Sequence, residues 1–328
     1  MSQPVSMAEV WRADLPESFH AGHAVICDDT GQIVKAWGNP DQLIYPRSSC
    51  KMIQALPLLE SGAADRAGLT SEHLALACAS HSGNPIHTDR VQRWLADLDL
   101  DNNALRCGAQ WPQPQEAEHA MVRAGETPCQ YHNNCSGKHS GFLTLAKDMN
   151  AGPEYIDPDH PVQMAIKDAF ERATGQDTPG FGIDGCSAPN FQTTVLGLAR
   201  AMARFAAAPV GSAEERLRTA MMRHPELVAG EGRSCTRLMR AMGMQAAIKT
   251  GAEAVFVAIL PEQRLGVALK ITDGATRASE CAIAALLIKL GVLDPGHEAA
   301  QAYLNAPIIN RRNVQTGAVR PAEGWLTG

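Results

Sequence analysis

The sequence has no surplus of positive charge, no hydrophobic run long enough to cross a bilayer, and few aromatic residues. Its 29 Lys and Arg against 35 Asp and Glu give a net charge of −6, with both signs mixed along the chain. No basic face is therefore expected to hold nucleic acid or an anionic membrane, and Arg311-Arg312 is too short a pair to change that. A transmembrane helix is excluded by the lack of a span-length apolar stretch. Residues 1–16 show no basic start followed by an apolar stretch, so no export signal is expected. The nine cysteines, an odd number, lack the dense spacing of a disulfide scaffold, and no Cys-x-x-Cys pair occurs. Cys27, Cys78 and Cys281 lie in apolar stretches and read as reduced packing residues, which points to a reducing cytoplasm. Fixed-period repeats and low-complexity linkers are also missing, so residues 1–328 read as one domain.

Within that domain the order of signals is strands, a helical block, strands, then a helix. Ala8 to Arg12 alternates. Ala21 to Cys27 leads through the turn Asp28-Asp29-Thr30-Gly31 into Ile33 to Trp37, which reads as a hairpin. A helix is expected from about Ser48 to Leu59, ending near Ser61-Gly62. Residues 65–242 read as mostly helical. Val195, Leu198, Met202 and Phe205 fall on one face of a helical period, with Arg200 and Arg204 off it. Met244 to Lys249, Val255 to Leu260 and Leu265 to Ile271 are strand-like, and a helix is expected from Arg277 to Leu290. The fold class is therefore α+β, with an antiparallel sheet built from both chain ends, flanked by helices, and a large helical middle region. The sheet lobe would span about 5–45 and 244–292, and the helical lobe about 48–242.

Chemistry first shows at Ser48-Ser49-Cys50-Lys51. A serine and a lysine three positions apart share a helical face. A lysine that has lost its proton can take that of the serine hydroxyl and make it a nucleophile. Acyl-enzyme hydrolases of the β-lactamase and penicillin-binding type use this Ser-x-x-Lys pattern, with a Lys-Thr-Gly on a strand and a second serine between them. Lys249-Thr250-Gly251 and Ser80-His81-Ser82 supply those elements in the same order, although the middle one departs from Ser-Asp-Asn. The bland alternative for each is a solvated charge or a helix cap.

Two further loops carry cysteine among glycine and asparagine. These are Asn133-Asn134-Cys135-Ser136-Gly137-Lys138-His139-Ser140-Gly141 and Gly182-Ile183-Asp184-Gly185-Cys186-Ser187-Ala188-Pro189-Asn190. Two thiolates from separate loops can hold zinc, with His139 or another nearby group adding a ligand. A catalytic cysteine paired with His139, or a buried pair of structural thiols, are the other readings.

Tyr45 to Lys51, Ala79 to Gly83, Asn134 to His139 and Asp184 to Ser187 together resemble the rhizobial-type (class 3) L-asparaginase family, over roughly residues 8–292. The resemblance implies a fold similar to serine β-lactamases and penicillin-binding proteins, hydrolysis of L-asparagine to L-aspartate and ammonia, and a homodimer. It implies two serine–lysine tandems, Ser48 with Lys51 and Ser80 with Lys249. It also implies a zinc ion held by Cys135, Cys186 and Lys138; spacing alone would not single out Lys138. Asp184 and His139 would lie behind the ligands or contact substrate, and Arg47 could face the substrate carboxylate. Alternatives are another Ser–Lys or zinc-dependent amidohydrolase, such as a glutaminase or β-lactam-type enzyme, and a non-catalytic zinc-binding protein.

Overall fold

The computed structural model of the protein describes residues 2–326. The chain divides into two compact units. The first comprises residues 1–49, 193–207 and 237–328, and the second residues 50–192 and 208–236.

The first unit is built on an antiparallel sheet. Its strands are β1 (Val5–Arg12), β2 (Leu15–Cys27) and β3 (Ile33–Trp37), with the short β4 (Leu43–Ile44) leading away from them. The sheet order is β11-β12-β1-β2-β10-β9-β8, with β3 also paired to β2. Here β8 is Ala247–Thr250, β9 Val255–Leu260, β10 Leu265–Ile271, β11 Ala306–Ile309 and β12 Gln315–Pro321. Both chain ends thus feed one sheet, as expected. All six residues of β9 are buried. Because successive side chains point to opposite faces, this strand is covered on both sides, which suits its unbroken run of Val, Phe, Ile and Leu. Helices Val195–Ala207 and Thr276–Lys289 pack against β9 and β10. The Val195–Ala207 helix, expected in the helical lobe, therefore belongs to the sheet unit. Strand β7 (Thr193–Thr194) just before it pairs with β4.

Three sequence expectations shift. The helix expected from Ser48 to Leu59 is a 3₁₀ turn at Arg47–Cys50 followed by two short helices, Lys51–Gln54 and Leu56–Glu60. Pro57 is the reason: it cannot donate to the preceding turn, and it sits at the start of the second helix, where a missing N–H costs nothing. The strand expected over Met244–Lys249 begins later, because Gly243–Gln245 forms a 3₁₀ turn. The sheet also continues past residue 292 into β11 and β12.

The second unit is helical, with the small hairpin β5 (Phe181–Ile183) and β6 (Pro189–Phe191). Its central helix is Ser136–Asp148, in which every residue from Ser136 to Ala146 is buried. A helix sunk this deeply must satisfy its polar side chains internally. Ser140 Oγ donates to Ser136 O and Thr144 Oγ1 to Ser140 O, both at 2.9 Å, while Trp94 Nε1 donates to Thr144 Oγ1 at 3.1 Å. Among the described residues, no helix is long and apolar enough to cross a membrane.

Candidate active site

Buried charge is concentrated in three lysines, Lys51, Lys138 and Lys249, each no more than 2% exposed. A buried ammonium must find partners or lose its proton, so their surroundings define the chemistry.

In the second unit Lys51 opens helix Lys51–Gln54. Its Nζ donates to Ala79 O and lies 3.0 Å from Ser80 Oγ and 3.1 Å from Cys135 Sγ. One amine thus joins three of the elements singled out in the sequence. The Ser80 loop is held from three directions. Ser80 N donates to Val228 O at 2.9 Å, His81 N donates to Asn134 O at 3.1 Å, and Arg233 Nη1 donates to Ser80 O at 2.7 Å. His81 fixes the same loop to the cysteine loop, with Nε2 2.9 Å from Ser136 Oγ and Nδ1 accepting the Gly83 N–H. Ser136 Oγ gives its own hydrogen to Tyr131 O, so His81 must be the donor to it and carries its proton on Nε2. Burial, with the stacked ring of His87 4.8 Å away, holds His81 well below the usual histidine range.

Lys138 follows on the buried face of the central helix. That helix approaches closely because residue 137 is glycine: a Cβ there would lie 2.4 Å from Leu76 O. Lys138 Nζ is 3.1 Å from Cys186 Sγ. Cys186 is presented by a tight turn in which Ser187 N donates to Asp184 O, and Gly185 N donates to Asp184 Oδ1 at 2.7 Å. Asp184 is therefore the residue that shapes the Cys186 turn. A hydrogen bond from Cys135 and the Lys138 charge hold the Cys186 thiol well below its ordinary range despite burial. The same hydrogen bond, together with burial, pushes Cys135 well up, and its thiol also donates to Asn134 Oδ1 at 2.9 Å. Burial works against the Lys138 ammonium, but the two sulfurs more than offset it and raise its pKa. By contrast Cys50 is an inert thiol, pushed up to about 12 by burial.

His139 lies on the same helix. Its Nδ1 is 2.9 Å from the Tyr155 hydroxyl, which accepts the Arg106 N–H at 2.7 Å. Its Nε2 is buried without a hydrogen-bond partner. Burial lowers the pKa of this ring, opposed by the Cys186 sulfur. Each sulfur has an amine neighbour, Lys51 beside Cys135 and Lys138 beside Cys186, and Cys135, Cys186 and Lys138 are the residues that could hold a zinc-like cation. Among the described residues, no group of three or more His, Cys, Asp or Glu side chains is placed to hold a metal ion, so such a site would depend on the lysine.

The first unit carries Arg47, Ser48 and Lys249. Arg47 adopts φ +54°, a left-handed conformation that is strained for a non-glycine residue, immediately before Ser48. Pro46 O anchors the turn, accepting from Ser49 N at 3.2 Å and Ser49 Oγ at 2.7 Å. Strand β8 ends in Lys249-Thr250-Gly251 against this turn. A Cβ at Gly251 would lie 2.6 Å from Pro46 O and 3.0 Å from Ser49 N. The Lys-Thr-Gly element and the Ser48 turn are therefore in direct backbone contact. Lys249 Nζ donates to Thr250 O at 2.8 Å.

Sequence reasoning missed Tyr155, Arg233 and the Lys51–Cys135 contact. Tyr155 lies 16 residues from His139 and Arg233 lies 153 residues from Ser80, and no short motif links them.

The family model described as L-asparaginase II matches residues 8–321. No curated protein matches the sequence. Among solved structures, a β-lactamase from Mycobacterium bovis is 13% identical, covering 83% of this chain and 95% of that one, with a TM-score of 0.42. A β-lactamase candidate from Bacteroides dorei DSM 17855 is 12% identical, covering 77% and 87%, with a TM-score of 0.43. Likenesses this distant say nothing of activity.

Proposed function

The chain belongs to the L-asparaginase II family and is an amidohydrolase of the L-asparaginase type; we propose that it hydrolyses L-asparagine to L-aspartate and ammonia through Ser–Lys chemistry. The observation that carries the Ser–Lys part is the buried Lys51 amine, 3.0 Å from Ser80 Oγ and opening the helix that follows Ser48.

In this reading Ser48 attacks the side-chain amide carbon, and Lys51, three residues on, accepts its proton. The tetrahedral oxyanion is held by backbone N–H groups of the Ser48 turn. Collapse of that intermediate breaks the C–N bond, and the departing nitrogen takes a proton through Ser80 and Lys249. Water then attacks the aspartyl ester and gives its proton to Lys249, left neutral by the previous step, while Lys51 returns its proton to the departing Ser48 oxygen and L-aspartate is released. Arg47 takes the substrate carboxylate, a charge-assisted pairing that arginine makes well. His139 and Asp184 hold the Lys138 and Cys186 side of the site in place for the substrate. Cys135, Cys186 and Lys138 would hold zinc, which supplies a positive anchor for the substrate, and Lys138 would give up its proton to bind it. A homodimer working in a reducing cytoplasm completes the proposal.

The Lys51–Ser80 contact favours one variation, in which Ser80 is the nucleophile and Lys51 its base. The reading as a whole is tested by supplying L-asparagine to the purified protein. Ammonia and L-aspartate should appear in equal amounts, and no release above buffer would overturn it.

A further inference from the structure

A cluster of nucleophilic and titratable side chains that the Ser48 and Lys51 chemistry does not use lies where three helices of the second unit pack together. Ser71 opens helix Ser71–Ala77, and His224 stands between helix Ala213–Arg223 and helix Pro225–Val228. Pro225 disfavours helical geometry in the residue before it, and His224 accordingly holds φ −128° and ψ 56°. At this break the ring meets Ser71, with Nε2 2.8 Å from Ser71 Oγ. Glu226, two residues on, places Oε1 4.0 Å from the ring Nδ1. That is an ion-pair distance rather than a hydrogen bond, so the carboxylate acts on the ring through its charge.

A serine–histidine bond can be a mere tie between helices, and two observations separate this one from a tie. The cap of helix Ser71–Ala77 is Thr70, whose N–H donates to His73 Nδ1 at 3.1 Å, so the Ser71 hydroxyl is not needed at the helix end. The neighbouring carboxylate, Glu72, is taken by Arg90 through two bonds of 3.0 Å, while Glu226 stands by the ring. With a carboxylate on the Nδ1 side, the neutral ring keeps its proton there and Nε2 accepts from the serine hydroxyl. A hydroxyl within hydrogen-bond reach of a base, itself supported by a third group, is the arrangement that activates a serine. The His224 and Glu226 side chains are 23% and 24% exposed, so a small molecule in solution can reach them.

We propose that Ser71, His224 and Glu226 form a second nucleophilic centre, which takes the acyl group of small esters with good leaving groups, such as aryl esters. Such esters need the least stabilisation of the tetrahedral oxyanion, which suits a centre open to water. Ser71 Oγ bonds to the carbonyl carbon as its proton passes to His224 Nε2, and the Glu226 charge stabilises the imidazolium. The ester C–O bond then breaks, and the phenolate leaves with that proton. Water attacks the Ser71 ester and gives a proton to His224, which returns it to Ser71 Oγ. One ester and one water thus yield one acid and one phenol.

An alkyl fluorophosphonate, which traps an activated serine as fluoride leaves, tests the proposal on the full chain, with the labelled residue identified by peptide mass spectrometry. Ser71 should be labelled in the native protein and not after unfolding in urea. His224→Gln should slow labelling of Ser71 by about a hundredfold or more, the lower end of general-base contributions. Glu226→Gln should slow it on the order of tenfold, the scale of one charged interaction. Turnover of p-nitrophenyl acetate should fall in Ser71→Ala, and unchanged turnover there would overturn the ester activity. A native protein without label on Ser71, or equal labelling of the native and unfolded chains, overturns the proposal whether or not the variants fold. Ammonia release from L-asparagine reports separately on the asparaginase reading, so either can fail without the other.

Discussion

Replacing Gly251 by alanine tests whether the Lys-Thr-Gly strand end supports the Ser48 turn. Gly251 has φ −117° and ψ 163°, an extended conformation that alanine adopts freely, so any effect must be steric. The added methyl would meet Pro46 O at 2.6 Å, where ordinary contact begins near 3.4 Å, and Ser49 N at 3.0 Å. Both neighbours are backbone, so no side chain can swing aside. Relief requires the 46–49 turn or the end of β8 to move by about 0.8 Å, the shortfall in that contact. Overpacking of this kind costs about 1–3 kcal/mol, which a urea unfolding curve would report as a lower midpoint. A displacement approaching 1 Å at a turn carrying a nucleophile costs about a hundredfold in rate. Ammonia release at saturating L-asparagine measures that directly. Gly152→Ala, where a Cβ meets nothing within 4 Å, is the control and should be neutral on both counts. A Gly251→Ala protein with wild-type midpoint and wild-type kcat would refute the argument.

Other consequences follow from the same geometry. Lys51→Arg should leave ammonia release at background, because arginine cannot act as a base at any working pH and its planar fork does not match the Ala79 O, Ser80 and Cys135 partners. Stability should fall as pH drops below about 6.5, the unfolded histidine value. His81 and His87 both have lowered folded pKa values from burial, so the unfolded chain binds more protons in that window. Each should contribute a slope of about 1.4 kcal/mol per pH unit, lost above pH 6.5, and urea midpoints from pH 7 to 5 would show it. Chelation of the proposed zinc should raise KM for L-asparagine and leave kcat within a few-fold. Loss of kcat instead would move the metal from anchoring to water activation.

The elements that the sequence made legible are those whose physics is local. Ile33–Trp37, Val255–Leu260 and Leu265–Ile271 are strands with the boundaries that their apolar runs and flanking turns suggest. The helix after Arg47 was over-extended because its apolar period continues through Pro57, while the backbone does not. Strands β11 and β12 carry Pro307 and Pro321, β11 has no fully buried residue and burial in β12 does not alternate, so their pairing is a tertiary fact rather than a local one. At the site, Lys51, Ser80 and Cys135 had been singled out separately, and the structure joins them through one amine. Tyr155 and Arg233 were invisible for the opposite reason. Each acts through hydrogen bonds to partners distant in sequence, and a buried tyrosine or a half-exposed arginine has no local signature.

The most direct test of the central claim compares ammonia release from L-asparagine by the wild-type, Ser48→Ala and Ser80→Ala proteins, each shown to unfold at the wild-type urea midpoint. The account predicts no release above background from Ser48→Ala and a slowed but measurable rate from Ser80→Ala. Near-normal release from Ser48→Ala would contradict it and transfer the nucleophile to Ser80.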